Sequence, residues 1–200
     1  MSNPFEDIVS FSNLLEEDSE FIPLMSPEDE ETMNTEEIPE LVGILPLRNT
    51  VLFPGVVIPI TIGRDKSIKL VKDAYHSTKV IGVLAQKDVA VEEPQPEDMN
   101  AIGTVARIIK MLQMPDGSTT VIIQGKRRFE VREMVEVDPY FKASITAFDE
   151  IKPARKTKEF KALVASIKDL ALNIIRQSPN IPSESEFALK NIESPSFLIN

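Results

Sequence analysis

Thirteen acidic side chains and no basic one stand in residues 1–40. No other feature limits folding so sharply. Like charges without counter-charges repel, and the scattered Phe5, Phe11, Leu14, Phe21 and Leu24 are too few to offset the entropy of ordering the backbone between them. The segment reads as a disordered acidic N-terminal extension; the alternative is a docking peptide anchored by those Phe and Leu side chains. The rest of the chain holds nineteen acidic and twenty-two basic side chains, so a net charge of −10 conceals a mildly basic body of +3. That body is long enough to bury a real core.

From Gly43 the texture changes to short apolar runs cut by Gly and Pro. Ile44–Leu47 and Val56–Ile62 read as strands separated by the turn Phe53-Pro54-Gly55. Pro59 cannot donate to a ladder, which places an edge or a bulge in the second strand. Asp65–Ser77 reads as a short helix with Ile68, Val71 and Tyr75 on one face, and Val80–Ala85 as a compact buried strand. An acidic loop, 88–100, leads to a long strand from Ile102 to about Met114. Pro115-Asp116-Gly117-Ser118 is a hairpin signal, because Asp and Gly tolerate the angles of a tight return. The returning strand, Thr119–Gln124, breaks at Gly125 and resumes as Arg128–Val137, a pattern that predicts a bulge and pairing with two neighbours. Asp138-Pro139 turns the chain into Phe141–Phe148. Six strands and one helix with such turns predict a small, strongly bent, antiparallel barrel.

After Asp149 the period switches to that of a helix. Phe160, Leu163, Val164, Ile167, Leu170, Ala171, Ile174 and Ile175 share one stripe. Ser183 and Glu186 form a capping-box pattern for a second helix. Ser194 as cap and Pro195 at the first helical position open a third, which stops after Phe197-Leu198-Ile199. A helix that is nucleated and then ends predicts a fragment of something longer, whose helices need partners beyond these 200 residues. The expected divisions are 1–40, a β domain at 41–150, and an incomplete helical subdomain at 151–200.

Much chemistry is excluded. With no Cys there is no disulfide framework, thiol nucleophile or Cys-built zinc site, and a single His, His76, rules out any site needing two. His76 falls near the end of the short helix, where it caps carbonyls or faces water. No run of eighteen apolar residues occurs, and no basic leader precedes an apolar segment. The one Gly-Lys pair, Gly125-Lys126, has Thr120 five residues before the glycine and Arg127 after the lysine, so a phosphate-binding loop fails at both ends. No catalytic, cofactor-binding or metal-ligating residue is predicted. Lys126-Arg127-Arg128 with Arg132, Arg107 and Lys110 is the one basic cluster. It reads as a solvated strand face balancing Glu130, Glu133 and Glu136, since nucleic-acid binding would want more aromatic surface than Phe129.

The run Leu45-Pro46-Leu47-Arg48-Asn49-Thr50-Val51-Leu52-Phe53-Pro54-Gly55, continuing through Ile58-Pro59 to Gly63-Arg64-Asp65-Lys66-Ser67, closely resembles the opening of the Lon protease N-terminal domain. A second block agrees: Ile102-Gly103-Thr104-Val105-Ala106, Pro115-Asp116-Gly117, then Val121 to Gly125 and Arg128. The resemblance covers about 43–149. It implies an α+β fold: a mainly β, PUA-like six-stranded pseudobarrel with one short helix, followed by a truncated α-helical subdomain. It implies a non-catalytic substrate-recognition and assembly domain of a bacterial, cytoplasmic, hexameric protease that binds ATP and Mg and cuts with a Ser–Lys dyad. Its partners would be unfolded or tagged proteins and sister subunits, with no membrane. The alternative is a stand-alone PUA-like module for RNA or a small ligand. Capture of unfolded chains needs adaptable apolar surface, for which Leu52, Phe53, Pro54, Met111, Leu112 and Met114 are the candidates. Against that, Phe53 would plug the barrel end and Met111 would be core.

Overall fold

The computed structural model describes residues 35–114, 118–148, 157–182 and 184–199. The disorder expected of the extension falls on residues that, up to 34, lie outside this set, as do Pro115, Asp116, Gly117 and Ser183. The strands are β1 (Leu41–Leu47), β2 (Val57–Ile62), β3 (Val80–Ala85), β4 (Ile102–Gln113), β5 (Thr119–Glu136) and β6 (Lys142–Ala147). Helix α1 (Asp65–Tyr75) links β2 to β3, and α2 (Lys158–Gln177), α3 (Glu184–Asn191) and α4 (Pro195–Ile199) follow the strands.

All six strands belong to one sheet, in the order β2-β5-β4-β3-β1-β6, and a further β5–β6 pairing closes it. Five strands thus form a ring, while β2 hangs outside it on β5. The expected six strands in one bent sheet are thus present. The expectation of purely antiparallel pairing is corrected: β1 and β3 run parallel, with Ile44 opposite Gly82 and Leu47 opposite Ala85. The stretch between them, holding β2 and α1, is the crossover that a parallel pair requires. Pro59 sits on the free edge of β2, where its missing N–H costs no ladder bond.

The double pairing of β5 is as its sequence predicts. It stays one strand of 18 residues, pairing with β4 along one edge. On the other edge its first half pairs with β2 and its second with β6. The β4–β5 register shifts between Thr104 and Ala106, opposite Arg128 and Gly125, so the extra residue lies where the break was expected.

Both faces of the sheet bury a core, and this is why β1 and β3 read as continuous apolar runs. Val42, Ile44, Leu84, Val105, Phe129, Ala143 and Ile145 join all five ring strands in one cluster. Leu45, Leu47, Ile81, Val83, Ile108, Val121 and Ile123 form the other, covered by α1 and by Leu52 and Ile62. Helix α1 presents Ser67, Leu70, Val71 and Ala74 to that core. Ile68 and Tyr75 only flank this stripe, so the buried face is turned from the predicted one, because the small Ser67 and Ala74 allow close approach.

Thr157 caps α2 by accepting from the Phe160 N–H at 3.1 Å. None of the predicted stripe of α2 is fully buried. Phe160, Val164, Ala171 and Ile175 are half-buried, whereas Leu163, Leu170 and Ile174 are more than 60% exposed. The principal neighbour of α2 is α3, tied by a two-point bond from Arg176 to Glu186 and by Lys168 donating to the Ile192 carbonyl at 2.5 Å. Ser194 caps α4 as predicted, its Oγ accepting from Phe197 N–H at 3.2 Å.

Candidate functional site

The loop between β1 and β2 is built to lift one aromatic ring. Leu52 is buried at 3% exposure, and its carbonyl accepts a 2.6 Å hydrogen bond from the buried Thr104 hydroxyl. Pro54 is buried too. Gly55 takes φ 79°, which only glycine adopts freely. Its N–H donates to the Gly125 carbonyl at 2.9 Å, and the Gly125 N–H donates back to Val56 at the same distance. A Cβ on residue 125 would collide with the Phe53 carbonyl oxygen. With Leu52 serving as the inward plug, Phe53 is left 38% exposed beside Val51 at 59%. The plug role considered for Phe53 thus belongs to its neighbour.

The second candidate surface is at the β4–β5 hairpin. Met111, opposite Val121, is half-buried against the α1-side core. Leu112 is half-buried on the opposite face, opposite Thr120. Met114 is half-buried, and its N–H donates to Ser118 at 2.9 Å. Phe53 lies at Gly125 and Met114 at Ser118, seven residues apart along β5, or about 23 Å of extended chain. The structure therefore does not merge the two candidate surfaces into one.

The remaining motif residues build a frame. Pro46 and Leu47 are buried in β1, and Gly63 ends β2 in open space. Arg64 donates to the Glu92 carbonyl at 2.8 Å and to the Gln86 side-chain oxygen at 2.7 Å, while Arg48 reaches the Val91 carbonyl at 3.3 Å. Gln86, 7% exposed, also donates to Val91 at 3.0 Å. Together they hold the 87–95 loop over the α1 end of the sheet. Burial, and then the charge of Arg48, pull the Arg64 guanidinium below its ordinary pKa. Sequence reasoning passed over Gln86, since one glutamine at a strand end carries no signal until its partners are known. Gly103 is required by close approach, because a Cβ there would strike the Val83 carbonyl. Arg128 is exposed, and its carbonyl accepts from Phe148 at 2.8 Å.

Among the described residues the contacts recorded for the basic cluster run to neighbouring segments. Lys126, 15% exposed, contacts Glu36 at 3.3 Å, and Glu136 pairs with Lys142 at 2.8 Å. Arg127 donates to the Phe148 carbonyl at 3.2 Å and Arg132 to the Thr146 hydroxyl. These cations bind strands to one another and hold the start of β1, because the register brings them to Glu36 and the β6 end. His76 is exposed at the end of α1, its ring edge-on to Tyr75 at 5.7 Å. Among the described residues no cluster of His, Asp or Glu could hold a metal ion, and no helix is long and apolar enough to cross a membrane.

A family model described as the ATP-dependent protease La (LON) substrate-binding domain matches residues 42–200. The Lon protease of Flavobacterium johnsoniae is 55% identical over 204 residues, covering 100% of this chain and 25% of that protein. That of Cytophaga hutchinsonii is 49% identical over 179 residues, covering 90% and 22%. The chain thus spans about a quarter of the length of the curated relatives it matches. Among solved structures, the N-terminal domain of Mycobacterium avium complex Lon protease superposes with TM-score 0.62 at 22% identity, covering 79% of this chain and 78% of that one. The Lon N-terminal domain protein from Xanthomonas campestris does so with TM-score 0.53 at 19% identity, covering 78% and 92%. At those identities the two structures show the shared fold.

Proposed function

The chain belongs to the family of substrate-binding domains of ATP-dependent protease La (Lon), and from that premise we propose that it captures unfolded polypeptide on the apolar surface around Phe53 and passes it to machinery elsewhere in a longer protein. Membership favours this reading over a stand-alone RNA or small-ligand module. The observation that carries it is the loop itself: Val51 and Phe53 are exposed while Leu52 and Pro54 beside them are buried. An apolar side chain held out by a rigid frame gains contact area without a large ordering cost on binding.

Met114 and Leu112 at the hairpin serve as a second, weaker foothold for the same client. Two weak sites joined by one flexible client raise each other's occupancy through effective concentration. In the whole protein, ATP with Mg and a Ser–Lys dyad supply unfolding and cleavage, six copies assemble in the cytoplasm, and the acidic extension and strand ring divide at about residue 41 with the helical part beginning near 151. These properties rest on the resemblance and on the family.

The test is calorimetric titration of a chemically denatured model substrate into the 200-residue chain, compared with Phe53→Ser and Met114→Ser. Phe53→Ser weakens capture roughly tenfold, in line with losing one apolar anchor, and leaves the unfolding midpoint nearly unchanged. Met114→Ser weakens it less. Equal affinity in all three proteins would remove the Phe53 surface from consideration.

A further inference from the structure

The ring has an open seam. Ile44 N–H donates to the Phe141 carbonyl at 2.7 Å, so the backbone of Ile44, and of Pro46 two residues on, points to the β1 edge that faces away from β3. β6 pairs with β1 only at Leu41–Gly43, which leaves that edge without a strand from Pro46 onward. On β2, the bond from Gly125 N–H to the Val56 carbonyl fixes the ladder phase. Pro59 and Thr61 therefore turn their backbone groups away from β5. These two unpaired edges line a common groove of about 450 Å³.

Two features give the seam its chemistry. Pro46 and Pro59 each stand where an N–H would point across it, so the lips cannot zip together and are rich in carbonyl acceptors. The guanidiniums of Arg48 and Arg64 line the same groove. Among the described residues neither makes an ion pair. Both retain N–H donors beyond the bonds they make to the 87–95 loop. Glu93 offsets part of the Arg64 charge, and repulsion from Arg48 is felt there too.

We propose that an extended polypeptide segment lies in this seam as a partly bonded added strand, its N–H groups on the lip carbonyls and an acidic side chain against Arg48 and Arg64. The acid is a side chain, carried at an internal position of the segment, because the two lips lie on either side of the groove that Arg48 and Arg64 also line, so the backbone on the lips and the acid on the guanidiniums are engaged together. This rests on the capture reading above and names the feature that the domain selects: an acidic residue within an extended apolar stretch.

The test is fluorescence anisotropy of the full chain with labelled, capped Val-Glu-Val-Glu-Val amide, its Gln counterpart, a Gln version with a free C-terminal carboxylate, and Glu versions N-methylated on one alternate set of amides or the other. The Glu peptide binds roughly tenfold tighter than the Gln amide, as a charge-assisted contact provides. Arg48→Gln abolishes that preference, and N-methylation of either set, each facing one lip, weakens binding. Arg48 is exposed and makes a single loop bond, so circular dichroism confirms that this variant folds. Equal binding of Glu and Gln peptides, a preference that survives Arg48→Gln, tighter binding of the free-carboxylate form, or indifference to N-methylation would each overturn the seam. If denatured substrate is still captured in a Phe53-dependent way, the capture reading survives that loss. If neither substrate nor peptide is bound, capture falls and the seam with it.

Discussion

Thr104 and Gly125 hold the Phe53 loop in opposite ways, one by a hydrogen bond and the other by lacking a side chain. Thr104→Val leaves the Leu52 carbonyl buried without its 2.6 Å partner, a loss of about 1–3 kcal/mol, to be read as a lowered urea midpoint. Gly125→Ala drives a methyl into the Phe53 carbonyl on a backbone pinned by two hydrogen bonds. Its cost, about 1–3 kcal/mol, comes with a displaced loop, so it lowers both the urea midpoint and the affinity for denatured substrate. Phe53→Ser, by contrast, lowers affinity alone. At this scale the sequence showed that the Phe-Pro-Gly turn matters, but which of Leu52 and Phe53 faces inward depended on Thr104, fifty-two residues away.

Elements are joined by contacts of very different depth. β5 is held on both edges, so its amides rank among the slowest to exchange. The α2–α3 pair rests largely on exposed polar ties. Chief among them is the hydrogen bond from Arg176 that holds the Glu186 carboxyl below its ordinary value of 4.5. A depressed carboxyl contributes stability that is complete above its unfolded pKa and is lost as pH falls through the lowered folded one. Helical signal from α2–α3 should therefore decline on acidification below about pH 4.5, and Glu186→Gln should remove that dependence. A helical signal with the same acid dependence in both proteins would discount the tie. The sequence pairs Glu186 with Ser183 as a capping box, a pairing that lies outside the described residues. Its tie to Arg176 reflects the α2–α3 approach, which no local pattern encodes.

Across the whole molecule, both cores among the described residues belong to the strands and α1, and α2 buries no residue fully. The two sheet clusters draw on strands, α1 and the segments beside them, whereas α2 finds its main neighbour in α3. Native-state hydrogen exchange should accordingly resolve two cooperative units, with α2 and α3 opening at lower free energy than β3, β4 and β5. Exchange of all of them at one common free energy would show a single unit instead. Leu163→Glu with Leu170→Glu, on the exposed stripe of α2, should leave the strand unit unchanged in the same measurement.

Alternation, turn residues and the switch from short apolar runs to a helical period determined the element order, because these are local properties of a dozen residues at a time. So did the bend at Gly125 and the caps of the last helix, both written in single residue types. Closure was another matter. Five strands in the ring with β2 outside, the parallel β1–β3 pair, and the two proline-lined edges facing each other all depend on pairings between segments tens of residues apart. A strand's own sequence says which of its faces is apolar, but only the folded chain says which neighbour lies at each edge and which edge stays open.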